Sequence, residues 1–402
     1  MATVALLGTF DTKGHEYAFL RDRLSGHGVG VVLVDAGVFE PVGVAPDVPR
    51  WEVAQAAGAD VRTLASGGDR GLAVATMARG AEVVISSLHR QGRTQGVLAL
   101  GGSSGSAIAA AAMSGLPVGA PKLIVSTLAS GDTRPYVGVT DVTMMHSVVD
   151  ISGINALSSR ILSNAAAAMA GMVTASPPAE TGRPLIGATM FGVTTPCVTR
   201  ARQFLERLGY EVLVFHATGV GGQSLEELVR GGHLAGVLDV TTTELADELV
   251  GGVMPAGPGR LERAGQAGVP QVVSLGALDM VNFGPRPTVP AEFQERKLYA
   301  HNPTVTLMRT SPAECLELGR RIGAKLTSAV GPTALFIPLR GISAIAVQGQ
   351  PFYDPVADSA LLSGLRETIG DVEVHELDMD INDGRFAEAM AARLVEMIER
   401  AK

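Results

Sequence analysis

Short apolar runs alternate with helically spaced apolar positions along the first half of the chain. Residues 3–8 form an apolar run that ends in a polar loop, and a β-branched run follows at 28–34. Between them, Tyr17, Leu20 and Leu24 recur at the spacing of one helix face. Buried runs that alternate with helices predict βαβ units and a parallel sheet.

The second half of the chain repeats this pattern. Four pairs of strand-like segments correspond in the same order: 6–10 with 187–191, the strand ends 35–38 with 216–220, 96–102 with 236–242, and 122–127 with 271–276. Ordered matches of this kind indicate an internal repeat. The sequence therefore predicts an α/β fold of two Rossmann-like parallel-sheet domains related by internal duplication, with a cleft between them.

A polar segment at 175–183 is the predicted linker between the halves. It contains the adjacent prolines Pro177 and Pro178, and it follows an Ala-rich helical stretch. We expect a Rossmann-like nucleotide-binding domain at 1–174 and a second Rossmann-like domain at 184–402. A chain of 402 residues has the length for two such domains.

Composition and charge exclude several classes of protein. Apolar residues make up 46% of the chain and charged residues 18%, unlike a disordered chain. The formal net charge of −8, with no basic run, argues against a nucleic-acid partner. Two cysteines suit a reducing compartment. The sequence shows no signal-peptide pattern and no apolar run of about 18 residues, so we expect a cytoplasmic protein without a membrane partner.

The loops that follow the strands are rich in Gly, Ser, Thr and Asp, and ligands of open α/β sheets bind at this edge. The segment 101–106 lies between a strand and a helix, where glycines and free helix N–H groups suit a phosphate or carboxylate. The alternative is a tight turn with a serine cap. The Gly-rich helix start at 66–71 has the same two interpretations, with Arg70 as a phosphate partner.

Two further loops add charged candidates. Lys13 lies in the first strand-to-helix loop, and Asp35 ends the second strand, where nucleotide-binding folds often place a ribose-binding acid. The predicted ligand-binding residues are Asp11, Lys13, Asp35, Gly68, Asp69, Arg70, Gly101, Gly102, Ser103, Ser104, Gly105 and Thr127.

Polar residues also collect at the strand ends of the second half. His216, Asp239 and His301 are the candidates for acid–base catalysis. Each residue of this kind is, taken alone, more often a helix cap or a turn residue. No spacing typical of a metal site occurs, so we expect no protein-bound metal, although Mg²⁺ could accompany a nucleotide.

As a set, several motifs resemble the Tm-1-like ATP-binding family, whose bacterial members are uncharacterised. The resemblance covers essentially the full chain and rests on residues 8–14, 35–37, 101–105, 279–285, 301–303, 338–341 and 354–355. It implies two Rossmann-like subdomains, ATP as the ligand and a homodimer. It implies no reaction.

Three functions fit these observations. The leading hypothesis is a nucleotide-binding protein that holds ATP at its Gly-rich loops. The alternative is an enzyme that acts on a small carboxylate or phosphorylated metabolite in the interdomain cleft. A sensor that closes on its ligand by a hinge motion is the third.

Overall fold

The fold was analysed in a computed structural model, which describes residues 1–176 and 182–401. The chain divides into two compact units, residues 1–179 and 180–402, which we call the N-terminal unit and the C-terminal unit. Most of the predicted linker, 175–183, lies outside the described residues. Each unit is therefore considered by itself, and the predicted cleft stays a prediction.

The N-terminal unit is built on a five-stranded parallel sheet in the order β2-β1-β3-β4-β5. Its strands are β1 (Thr3–Gly8), β2 (Gly30–Asp35), β3 (Gly96–Gly101), β4 (Lys122–Ser126) and β5 (Thr143–His146). Its helices are α1 (Phe10–Gly26), α2 (Arg50–Ala56), α3 (Val61–Ser66), α4 (Arg70–Arg90), α5 (Ser103–Ser114), α6 (Arg134–Val137) and α7 (Ser158–Thr174).

Helices cover both faces of this sheet, which is why its strands read as continuous apolar runs. Successive side chains of a strand point to opposite faces. Leu6 packs with α1 and α7 on one face, and Leu7 packs with α2, α4 and α5 on the other. The predicted α/β class with parallel sheets is confirmed.

The C-terminal unit contains a six-stranded parallel sheet in the order β14-β13-β9-β8-β6-β7 and a three-stranded antiparallel sheet, β10-β12-β11. Its strands are β6 (Leu185–Met190), β7 (Glu211–His216), β8 (Gly236–Thr241), β9 (Gln271–Gly276), β10 (Met280–Phe283), β11 (Leu298–Asn302), β12 (Val305–Arg309), β13 (Thr333–Pro338) and β14 (Glu373–Leu377). Its helices are α8 (Thr195–Arg207), α9 (Val220–Arg230), α10 (Glu244–Val250), α11 (Arg263–Gln266), α12 (Pro312–Thr327), α13 (Pro355–Thr368) and α14 (Gly384–Ala401).

The two parallel sheets share one topology. When the strands of each parallel sheet are numbered in chain order within that sheet, the first five lie in the spatial order 2-1-3-4-5 in both units. This doubly wound order has its topological switch point between strands 1 and 3. The four strand pairs matched by sequence are β1 with β6, β2 with β7, β3 with β8, and β4 with β9, as an internal duplication requires.

Helix α4 is long and apolar enough, by length and composition, to cross a membrane. Core helices of soluble proteins meet the same criterion. Met77, Ala81, Ile85 and Leu88 of α4 are buried in the core of the N-terminal unit. The apolar character of α4 is therefore explained by its packing on the sheet.

At the switch point of the N-terminal unit, a tyrosine hydroxyl binds the backbone groups that lie just past the end of the β1–β3 pairing. Strands β1 and β3 are paired only as far as Leu7 and Ala99. Beyond them, the Tyr17 hydroxyl donates to the Leu7 carbonyl and accepts a 2.8 Å hydrogen bond from the Leu100 N–H. A Cβ on Gly8 would lie 1.9 Å from this hydroxyl oxygen, so only glycine leaves room for the ring.

We expect Tyr17→Phe to destabilise the N-terminal unit by about 1–3 kcal/mol, because it leaves a buried N–H and a buried carbonyl without their partner. Urea unfolding followed by circular dichroism measures the change in the free energy of unfolding. Tyr136→Phe is the control, because the structure shows no hydrogen bond from that hydroxyl. Equal stability of both variants would contradict the bridging role of Tyr17.

Candidate functional site

The N-terminal unit has a cavity of about 570 Å³ at the carboxyl edge of its sheet. Residues that follow β1, β2 and β3 line it, so it lies at the switch point between β1 and β3. Ligands of doubly wound sheets bind at this position. Helices α3, α4 and α5, the turn between α3 and α4, and Asp150 supply the rest of the lining.

Nine of the twelve predicted ligand-binding residues line this cavity. They are Asp11, Lys13, Gly68, Asp69, Arg70, Gly102, Ser103, Ser104 and Gly105. Asp35, Gly101 and Thr127 do not belong to the lining. The structure thus brings residues 11–13, 68–70 and 102–105 to one site at the starts of α1, α4 and α5, and Lys13 lies in the first turn of α1 rather than in the predicted loop.

The β3–α5 loop combines close packing with an open helix end. A Cβ on Gly101 would lie 2.6 Å from the Gly105 Cα, and one on Gly105 would lie 2.9 Å from the Leu100 carbonyl oxygen. Both glycines are therefore needed for the turn itself. A Cβ on Gly102 would meet only the Thr127 hydroxyl, at 3.6 Å, so this position has room beside the cavity.

The N-terminus of α5 presents free donors to the cavity. The first hydrogen bond of this helix runs from the Ser106 N–H to the Gly102 carbonyl, at 2.9 Å. The N–H groups of Ser103, Ser104 and Gly105 precede it, and no side chain caps them. Free N–H groups and the helix dipole favour an anion at such a helix start.

Two cations lie beside these donors. The Lys13 ammonium group donates to the Ile151 carbonyl, and the Arg70 guanidinium group donates to the Ser104 hydroxyl at 3.4 Å. Among residues 1–176 and 182–401, neither cation has an ion-pair partner. Both charges are therefore available to an anionic ligand.

The carboxylates of the lining are already bound to backbone donors. Asp11 accepts hydrogen bonds from the N–H groups of Val38 and Phe39, at 3.2 and 3.1 Å. Asp69 accepts one from Leu72, at 2.9 Å, and thereby caps α4. These side chains shape the loops around the cavity.

Asp35, which the sequence suggests as a ribose-binding acid, does not line the cavity. Its side chain is fully buried and accepts hydrogen bonds from the N–H groups of Phe10 and Gly37, at 3.1 and 2.9 Å. Burial raises the pKa of this carboxyl group above its usual range. Asp35 therefore ties the loop after β1 to the loop after β2 from beneath the cavity.

The sequence analysis missed the apolar half of the lining. These residues are Ala36, Val38, Phe39, Leu64, Ala65, Ala73, Val74, Met77 and Ile108. The stretch 36–39 follows β2, so the strand-end rule could have identified it. The spacing of apolar residues on α4 indicates a buried face but does not tell which end of that face the core leaves uncovered.

The same position in the C-terminal unit is filled by an arginine side chain. Arg260 is fully buried and forms a two-pronged ion pair with Asp239 of β8. Its Nε donates to Glu244 at 2.6 Å, and one terminal nitrogen lies 3.4 Å from Glu226. Thr189 of β6 donates to Asp239 at 2.7 Å. The switch point between β6 and β8 is thus occupied by the protein itself.

This network removes Asp239 from the candidates for acid–base catalysis. The carboxylate is buried, and both of its oxygens are held by the Arg260 guanidinium group. A general acid or base must reach the proton that it transfers. Nothing in the sequence marked Arg260, because its partners lie 16 to 34 residues away along the chain.

His216 and His301 both lie near the Phe191–Gly192 turn. The rings of His216 and Phe191 are 5.3 Å apart between centroids. A Cβ on Gly192 would lie 3.9 Å from the His301 ring. Both imidazoles are exposed beside the Phe191–Gly192 turn, and neither lines the cavity of the N-terminal unit. In the parts of the chain that the structure describes, no three His, Cys, Asp or Glu side chains are grouped as a metal site.

The fold and the cavity define the class of protein: two Rossmann-like α/β units, the first with an open candidate site for a small molecule. The chain belongs to the uncharacterised protein family UPF0261. Residues 2–178 match the N-terminal domain of that family, and residues 183–398 match its C-terminal domain.

Relatives occur in bacteria and in a plant. The chain is 52% identical over 400 residues to a UPF0261 protein of Clostridium tetani, in an alignment that covers 99% of each chain. It is 41% identical over 423 residues to the ToMV resistance protein Tm-1(GCR237) of Solanum lycopersicum. That alignment covers 99% of this chain but 56% of the tomato protein. The resemblance to Tm-1 is confirmed as a family relationship, and ATP binding stays a prediction.

Solved structures give weaker similarities. A Staphylococcus aureus MnaA–UDP co-structure aligns over 100% of this chain and 97% of its own, with a TM-score of 0.22 and 13% identity. A UDP-N-acetylglucosamine 2-epimerase aligns over 99% of this chain and 97% of its own, with a TM-score of 0.25 and 10% identity. At such low scores these alignments carry no information about the ligand of this chain.

We expect Arg260→Met to destabilise the C-terminal unit by about 3–5 kcal/mol, because it leaves buried carboxylates without their cation. Urea unfolding followed by circular dichroism measures the change in the free energy of unfolding. Arg340→Met, which breaks an exposed ion pair with Asp378, is the control and should leave the stability close to that of the wild type, because solvent screens this pair. A similar cost for both variants would contradict the role of Arg260.

Proposed function

We propose that this chain binds a nucleotide, with ATP as the leading candidate, in the cavity of its N-terminal unit. The observation that carries the proposal is the mixed lining of this cavity. Its polar part, which we call the polar end, has free helix N–H groups and two cations with no ion pair among the described residues, and its apolar part, which we call the apolar end, consists of side chains from α3, α4 and α5. A nucleotide has the same division between phosphates and base.

The polar end suits phosphate groups. The N–H groups of Ser103, Ser104 and Gly105 are free, and Lys13 and Arg70 lie on the same lining. Hydrogen bonds to charged groups contribute about 1.5–3 kcal/mol each, so two or three of them contribute about 3–9 kcal/mol, which reaches micromolar affinity only at its upper end. Mg²⁺ usually enters such sites with the phosphates and one or two carboxylates, and Asp69 and Asp150 are carboxylates of the lining.

The apolar end suits the flat part of the ligand. Leu64, Val74, Met77 and Ile108 line it from α3, α4 and α5. Burying apolar surface contributes about 25 cal/mol per Å². A volume of about 570 Å³ lies in the range of 300–1,000 Å³ that is typical of small-molecule sites.

A phosphorylated metabolite without a base is the competing ligand, because it would engage the polar end alone. Thermal-shift measurements separate the two. A ligand stabilises the folded protein by RT ln(1 + [L]/Kd), so ATP and ribose 5-phosphate at equal concentration rank by affinity. Tighter binding of ribose 5-phosphate than of ATP would contradict the nucleotide proposal and favour a small phosphorylated metabolite as the ligand.

We expect Gly102→Asp to weaken ATP binding by about a hundredfold or more, because it sets a carboxylate against the phosphates and costs two charged hydrogen bonds. Isothermal calorimetry measures the affinity. Gly102→Ala is the matched control: its Cβ fits at 3.6 Å from Thr127, and it adds no charge. Melting curves of both variants report on folding. A folded Gly102→Asp protein with wild-type affinity would place the phosphate elsewhere.

We also expect one nucleotide per chain. The duplicated fold has two switch points, but Arg260 fills the one in the C-terminal unit. Calorimetric titration with ATP should therefore give a stoichiometry near one. A value near two would show that the second unit also binds nucleotide, against the closed network around Arg260.

A further inference from the structure

Phe39 is an exposed aromatic side chain on the lining of the cavity. It is 60% exposed, whereas Val38, its neighbour in the chain, packs against the core. Among the described residues it is the only aromatic one on the lining. Single exposed apolar side chains are common on protein surfaces, and what distinguishes Phe39 is its place on the lining, where its ring is accessible to a ligand.

The backbone at Phe39 is held in place. Its N–H donates to the Asp11 carboxylate at 3.1 Å, next to the Val38 N–H on the same oxygen. A Cβ on Gly37 would lie 2.9 Å from this carboxylate, so glycine lets the two loops approach. The backbone at Phe39 is thus held by two hydrogen bonds to Asp11, while its ring stays exposed.

Phe39 and the phosphate donors belong to different loops of the lining. Phe39 follows β2, and the free N–H groups of Ser103 to Gly105 follow β3, with β1 between these strands. Neighbouring strands lie about 4.8 Å apart, which puts the two strand ends roughly 10 Å apart. A ligand that reaches from one to the other carries its anionic group and its apolar group at opposite ends.

We infer that Phe39 stacks on the planar base of the bound nucleotide and determines the preference of the site for ligands with an aromatic ring. This inference rests on the proposed function and adds a ligand class to it. The apolar wall of Leu64 and Val74 supplies the remaining contacts of the base. Offset stacking on an aromatic ring is favoured by the charge distribution of both rings.

The test compares ligands with and without a base. In calorimetric or competition measurements, Phe39→Ala should bind ATP about 5 to 150 times more weakly than the wild type, which is the range of base–aromatic stacking. Its affinity for tripolyphosphate, which has no base, should stay within about twofold. The ATP affinity of Phe39→Leu, which keeps the apolar contact but not the flat ring, should lie between those of the wild type and Phe39→Ala.

Trp51 provides the matched control and a spectroscopic readout. Its side chain is 55% exposed, like that of Phe39, but it does not line the cavity, so Trp51→Ala should leave ATP affinity unchanged. Because Trp51 is the single tryptophan of the chain, the double variant Trp51→Phe/Phe39→Trp has its only indole at position 39. ATP should change its fluorescence, and tripolyphosphate should not.

The outcomes separate this inference from the proposed function. If Phe39→Ala binds ATP like the wild type while Gly102→Asp does not bind it, the cavity is a nucleotide site and the stacking role is overturned. An equal loss of ATP and tripolyphosphate affinity in Phe39→Ala also overturns it, since a base contact cannot affect a ligand without a base. Absence of ATP binding by the wild type overturns both proposals.

Discussion

The rest of this structure depends on one constraint. In each unit the first and third strands of the parallel sheet, β1 and β3 or β6 and β8, stop pairing before they end. Parallel strands that stop pairing leave buried N–H and carbonyl groups that need other partners. In the N-terminal unit the Tyr17 hydroxyl supplies them, between Leu7 and Leu100. In the C-terminal unit the Thr189 hydroxyl has this role: it accepts a 3.0 Å hydrogen bond from the Thr241 N–H and donates to Asp239.

The two units use this opening in opposite ways. In the N-terminal unit Asp11 and Asp35 tie the chain after β1 to the loop after β2, and the space at the strand ends stays open. In the C-terminal unit Arg260 enters the space, and acidic side chains pair with it. A buried charge is tolerated only with good partners, so one arginine and its carboxylates form a unit that closes the site. One duplicated fold thus has one open and one closed switch point.

Sequence reasoning located most of the polar half of the candidate site and little of its apolar half. The loop at 101–105 was found because glycines and serines between a strand and a helix are a local signal. The separate roles of its glycines were not, since the steric contacts of Gly101 and Gly105 and the open side of Gly102 are visible only in three dimensions. Asp35 was expected at the ligand and lies beneath the cavity, because its carboxylate satisfies backbone N–H groups of another loop.

The sequence by itself determined the alternation of strands and helices, the parallel sheets and the ordered repeat of the two halves, because periodicity and burial are written into neighbouring positions of the chain. Only the tertiary structure decided which half keeps an open site. That depends on a single side chain, Arg260, which reaches Asp239 across 21 residues. The tertiary structure also decided the place of Phe39 on the lining, where its backbone N–H donates to Asp11, 28 residues away along the chain. Contacts over such separations leave no periodic trace in the sequence, since they are set by how the loops at one sheet edge meet in space.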